Sequence, residues 1–302
     1  FVTDLRDNSI VGELDLQNVS YSRILSGVGD FTGAVSINRD TLAFQSPQGG
    51  GGDFESPLWD KSFPTNDIRS ITVPGRFGLY IYREGVPVWG GIIWKRLYNS
   101  ANGTGMMSLN AKTFESYFYH RFQHVTKYWA DNDQLDIARW LVENNNTAKD
   151  LLIDVDQIKS TRYRERTMFG YEYKTVGEEL EQLAALIDGF DWNVEIGLDA
   201  NNAPTRTLRF YYPRAGVSRD KTTLQFAYPG VIKSYVMTDD SETGGNFIWT
   251  IGAGEGTEMI VQSAVDYGQL ENGWPMLEAS RSYKSVVRPS TLLEHANQAL
   301  EK

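Results

Sequence analysis

The chain has 302 residues, 41% of them hydrophobic, with 29 Lys+Arg against 39 Asp+Glu and a net charge of −10. It contains no cysteine, which excludes disulfides, thiolate metal sites and cysteine nucleophiles. No apolar run approaches the ~20 residues that cross a bilayer, no signal-peptide pattern opens the chain, and no run of Lys and Arg supplies a phosphate-binding stripe.

Aromatic residues make up 13% of the chain and there are 28 glycines, a profile of short strands and tight turns. The chain opens on Phe1 and ends inside a helical pattern, so it is expected to be an ordered portion of a longer chain. "SYSRIL" (20–25) and "FTGAVSI" (31–37) read as strands around a glycine-containing hairpin loop. Next comes a long excursion over 44–67 with four consecutive glycines at 49–52. A bare linker has little use for bulky apolar side chains. Phe54, Leu58, Trp59 and Phe63 are therefore expected to form an arm that docks on a neighbouring subunit.

"SITVPG" (70–75), "LYIYRE" (79–84), "VPVWGGIIWKRLY" (86–98) and "TGMMSLNAKTF" (104–114) continue as a meander, with "REGV" as a tight turn. Along 79–82, Leu79 and Ile81 alternate with Tyr80 and Tyr82, so both faces of that strand are largely covered. Residues 1–112 read as a small antiparallel barrel or sandwich. Gly90 and Gly91 interrupt the third of these strands, where glycine packs nothing. Either the backbone bends there or another surface comes very close. The expected answer is a bulge at Gly90–Gly91, which would turn a barrel corner and put Trp89 and Trp94 on the same side, both buried.

The pattern changes near 113. "TFESYFYHRFQHV" (113–125) admits a short helix, and "DNDQLDIARWLVENNNT" (131–147) reads as a helix that stops at the asparagines. "TVGEELEQLAALIDG" (175–189) carries a capping box, Thr175 with Glu178, and places Gly189 beyond its end. Strand patterns return at 190–197, 206–213, 224–238, 246–256, 258–266 and 275–283. A final helix is read from "RPSTLLEHANQALEK", with Thr291 and Glu294 as its capping box.

Candidate chemistry is sparse. His120 and His124 would share a helix face, as a zinc pair requires, but Arg121 stands where a hydrolytic zincin places glutamate. "GAGEG" (252–256) resembles a phosphate cradle, yet a strand pattern follows it and no Gly-Lys-Ser/Thr is present. The carboxylate pairs Glu178–Glu179, Asp239–Asp240 and Asp53 with Glu55 are not singled out by spacing. No serine lies in a nucleophile elbow. No catalytic residue, cofactor or metal site is therefore assigned, and the chain is not read as an enzyme.

Four segments in order carry a resemblance: 21–37, "LYIYREGVPVWGGIIWKRLYN" (79–99), "NDQLDIARWLVENN" (132–145), and the helix, "FDW" and hairpin of 175–216. Together they resemble the N-terminal region of minor tail proteins of siphophages of actinobacteria, the tail-hub or tail-associated proteins at the tail tip. That family is similar to the baseplate hub of contractile-tailed phages. The resemblance implies a mainly β fold with α+β insertions, in which two small antiparallel β-barrels flank an α+β middle region. It places the first barrel at 1–112, the middle domain at 113–223, the second barrel at 224–285 with parts of 150–175, and a C-terminal helix at 286–302. It implies a homotrimeric ring in the virion tail tip. That ring would join the sixfold tube or distal tail ring to threefold components, hold tape-measure protein, and let DNA pass without sequence-specific binding. No membrane binding is implied for this region. The acidic balance agrees, since it repels DNA. The alternatives are a hexameric distal tail protein, a carbohydrate-binding receptor module, or a peptidoglycan hydrolase whose catalytic part lies in an unseen extension.

Overall fold

The computed structural model describes residues 1–37, 68–101, 104–216, 227–238, 244–284 and 286–300. The chain divides into two compact units, Phe1–Ala215 and Gly216–Lys302.

The first unit is built on a seven-stranded antiparallel sheet. Its strands are β1 (Val2–Asp4), β2 (Ile10–Gly12), β3 (Leu16–Tyr21), β4 (Asp30–Ile37), β5 (Phe77–Arg83), β6 (Val86–Ala101) and β7 (Thr104–Thr113). They lie in the order β2-β1-β5-β6-β7-β4-β3. Glu84 and Gly85, both at positive φ, make the two-residue turn between β5 and β6. The sheet is packed on both faces, which is why β5 is apolar on both. Leu79 joins a cluster with Val2, Phe31, Val35, Trp89 and Ile93. Its neighbour Tyr80 joins a second cluster with Ile92, Phe114 and Phe118.

The middle segment, in the same unit, supplies that second cluster. The short helix admitted at 113–125 is a 3₁₀ helix, Phe114–His120. It is followed by β8 (Lys127–Asp133), α1 (Gln134–Asn144), α2 (Thr147–Asp150), β9 (Ile153–Val155) and β10 (Tyr163–Met168). Then come α3 (Val176–Ala184), β11 (Asp191–Leu198) and β12 (Pro204–Tyr211). β8 pairs with β10, and β12 lies between β11 and, in parallel, β9. Asp133 caps α1 through Leu135 N. Thr175 and Glu178 cap α3 reciprocally, so that local signal forms as its chemistry dictates.

The second unit holds β13 (Phe247–Ile251), β14 (Val261–Val265), α4 (Tyr267–Glu271), β15 (Glu278–Ser282) and α5 (Pro289–Leu300). The sheet order is β14-β13-β15, and α5 buries Leu292 and Ala296. α5 begins at Pro289, so Thr291 and Glu294 lie inside it and do not cap it. The strand read at 224–238 has no counterpart in the described part, 227–238.

The fold is mainly β, with several sheets and few helices. Among the described residues no ring of strands closes. The larger sheet ends at β2, whose Ile10 and Val11 are exposed, and at β3, four of whose six residues are exposed. Among the described residues neither edge finds a strand partner, and the closed barrels that the resemblance implies are not seen.

Candidate functional site

The glycine pair sits at the meeting of the two cores of the first unit. Gly90 and Gly91 pair in regular register with Tyr80 and Leu79. The irregularities of β6 lie on either side: Val88 is an extra residue against β5, and Trp94 is an extra residue against β7. This corrects the bulge read at Gly90–Gly91. The glycines answer the other demand, close approach. A Cβ on Gly91 would stand 2.1 Å from the Lys112 carbonyl oxygen and 2.6 Å from the Trp89 ring. A Cβ on Gly90 would stand 3.0 Å from Ile196, Phe114 and Tyr80.

Trp89 is fully buried in one core, and its Nε1 donates to Ser22 O. Trp94 packs against the other core and is only half-buried, so the two indoles do not share a side. The extra residue at 94 aims its indole at the 3₁₀ turn. There Nε1 donates to Ser116 Oγ at 2.8 Å and the ring stacks on His120 at 4.3 Å. The arm residues Phe54, Leu58, Trp59 and Phe63, and the acids Asp53, Glu55, Asp239 and Asp240, lie outside the described residues.

The remaining sequence candidates are occupied by structural contacts. His120 and His124 are exposed; His124 Nδ1 lies 3.3 Å from Phe122 O. Glu178 serves the cap of α3, while Glu179 is buried against Arg166 at 2.7 Å and Lys174 at 3.6 Å. "GAGEG" is the turn between β13 and β14: Gly252 N donates to Ile260 O and Ile260 N to Ala253 O. Gly254 takes φ +108° there, where a side chain would meet Glu258 O.

Sequence reasoning missed the polar groups that join the elements. Arg206 on β12 is 1% exposed. Its guanidinium donates to Tyr80 Oη (2.7 Å), Leu151 O (2.6 Å) and Asn8 Oδ1 (2.5 Å), and it lies 4.3 Å from the Phe114 ring centroid. Asn8, at φ +59°, returns a bond to Pro204 O. One side chain thus ties the β1–β2 loop, the large sheet and the middle segment together. Asp133 is also buried, and accepts from Leu135 N, Ser160 N and Oγ, and Thr161 N. An arginine on an alternating strand gives no sequence signal of such a role, because its partners are remote in the chain.

A cavity of about 350 Å³ lies between the 23–25 loop and β11, lined by Arg23, Leu25, Gly90, Glu115, Val194 and Ile196 among others. Glu115 is its single acid. Burial pushes the Glu115 carboxyl above the usual carboxylate range, outweighing the hydrogen bonds from Val194 N and Thr113. Acid–base cleavage of a glycoside takes two carboxyl groups, so this cavity does not provide that chemistry. Among the described residues no cluster of three His, Asp or Glu side chains is placed to hold a metal ion, and no helix is long and apolar enough to cross a membrane.

Among the described residues of the second unit, α5 packs on one side of the sheet. Ile248, Thr250 and Ala264 are buried, and Thr250 Oγ1 donates to Leu292 O of α5. The opposite side carries Phe247, Trp249, Ile251, Val261 and Val265, in register across β13 and β14. Trp249 and Val261 are exposed there, and the Phe247 and Trp249 rings lie 4.9 Å apart. Residues 227–238 run free of secondary structure in the same unit, with Val231, Tyr235, Val236 and Met237 exposed.

No family model matches the chain. No curated protein matches it either. Among solved structures, the chain is similar to a prophage tail protein from Shewanella oneidensis (11% identity, 90% of this chain and 70% of that one, TM-score 0.49). It is similar to a tail protein from Neisseria meningitidis (12% identity, 93% and 70%, TM-score 0.49). It is also similar to a prophage tail protein from Listeria monocytogenes (10% identity, 94% and 72%, TM-score 0.47).

Proposed function

We infer that the chain is a structural subunit of a phage tail tip, a hub that assembles as a homotrimeric ring. In this reading the ring joins the sixfold tail tube or distal tail ring to threefold tip components and surrounds the path of tape-measure protein and DNA. The open sheets of the two units complete small barrels only against neighbouring copies. The apolar arm of 44–67 reaches an adjacent subunit. The chain acts by assembly, with no catalytic step.

The observation that carries the reading is the apolar side of β13 and β14, on which Trp249 and Val261 are exposed, together with the exposed apolar segment 231–237. Contiguous exposed apolar surface and unpaired strand edges are costly in a free subunit and are removed by a closed ring. The ordered sequence motifs point to the tail hub among such assemblies. Electron microscopy of the purified tail tip, with this chain tagged, tests it. Three copies around one axis support the hub. Six copies make it the distal tail protein, and a single peripheral copy removes the ring.

A further inference from the structure

We propose that residues 231–237 are a donor strand, which adds in trans to the free edge of β14 in a second copy of this chain. The proposal rests on the assembly reading above and names the contact that would make it.

"VIKSYVM" has the composition of a strand, rich in β-branched and aromatic residues, yet it pairs with no described strand. Val236 is 93% exposed, Met237 75% and Val231 70%. The acceptor lies in the same unit. β14 pairs only with β13, so its outer row of backbone groups is open among the described residues. The two outer strands of that sheet differ. β15 carries Glu278 and Arg281, charges that discourage pairing at an edge, whereas β14 reads "VQSAV" and carries none. Adding a strand beside β14 also widens the side of the sheet opposite α5, so that apolar side chains of the donor continue the row of Phe247, Trp249, Val261 and Val265.

Charge agrees with the pairing. Lys233 is the single charged residue of 227–238, and β14 runs directly into Asp266. Among the described residues of one chain the segment and the β14 edge do not pair with each other, and Val231, Val236, Met237 and Val261 are exposed. A contact between a segment of one copy and a different surface of the next is head-to-tail. Repeated by a rotation that closes, it makes a ring.

The test uses the full chain, which has no native cysteine to interfere. Chains carrying Val236→Cys are mixed with chains carrying Ser263→Cys and treated with a short bis-maleimide. The expected product is a covalent dimer containing one chain of each kind. In parallel, Val236→Lys is compared with the unaltered chain by sedimentation. The substituted side chain is exposed, so the far-ultraviolet circular dichroism of the fold is expected to be unchanged while the oligomer is lost. An unaltered chain that sediments as a monomer removes both the hub and the donor strand. An unaltered oligomer that survives Val236→Lys, or that gives no mixed dimer, removes the donor strand alone and leaves the hub standing.

Discussion

The indole of Trp89 lies across the backbone at Gly91, so that a Cβ there would meet its ring at 2.6 Å and the Lys112 carbonyl oxygen at 2.1 Å. The ring could shift, but the carbonyl belongs to the β6–β7 ladder and cannot yield alone. Gly91→Ala is therefore expected to destabilise the first unit at or above the top of the ~1–3 kcal/mol range of overpacking. Gly90→Ala meets only side-chain atoms at 3.0 Å and is expected to cost less. Urea denaturation followed by tryptophan fluorescence compares them. Equal losses for both would show that close packing is not what the glycines serve.

Legibility in the sequence followed the range of the interactions. The β5–β6 hairpin, with turn residues Glu84 and Gly85, and the Thr175–Glu178 cap rest on neighbours within a few residues. Their patterns therefore carry their structures. The double-sided packing of β5 was also visible, because alternation of Leu79 and Tyr80 records two environments. Trp94 was misplaced because the extra residue depends on the register of β7, which the local pattern does not contain. Arg206 was invisible because Asn8, 198 positions away, and Tyr80 meet it only in the folded chain. The segment 231–237 read as a strand from composition, and composition does not say where a partner strand lies.

Arg206 is expected to be the most sensitive polar side chain in the first unit. Truncation removes bonds to three remote segments and leaves Tyr80 Oη and Leu151 O with fewer partners. Arg206→Met is expected to cost on the order of 3 kcal/mol, and Asn8→Ala roughly 1 kcal/mol. The double variant should cost less than the sum, because both act on one network. Strict additivity in urea denaturation would sink the network.

Glu115 gives a pH signature. Burial raises its carboxyl above the ordinary 4.5, so the folded state holds the proton more tightly than the unfolded chain. Its contribution is fully present below the unfolded value and is lost as pH rises through the raised folded value. Glu115→Gln keeps an oxygen for Val194 N without a titrating group. The variant should gain thermal stability relative to the parent at about pH 8, with the gain shrinking at about pH 4. A difference in Tm that does not change with pH would contradict this.

Passage of DNA through the proposed ring requires weak contact with phosphates, and the net charge of −10 sets that condition. Non-specific binding comes from cations that displace counterions, so it strengthens steeply as salt falls. The purified chain is therefore expected to leave duplex DNA unretarded in a gel shift even at about 50 mM salt, where such binding is strong. Reversing the charge of surface acids should reveal whether repulsion is the cause. Exchanging exposed acids of the first unit, such as Glu143 and Asp154, for lysine raises the net charge without touching the buried Asp133 or Glu179. If repulsion governs passage, accumulated exchanges of this kind should bring a salt-sensitive shift, while the parent shows none. A parent chain that binds duplex DNA with a steep salt dependence would mean that basic side chains are gathered on one surface, and the freely conducting channel would fall.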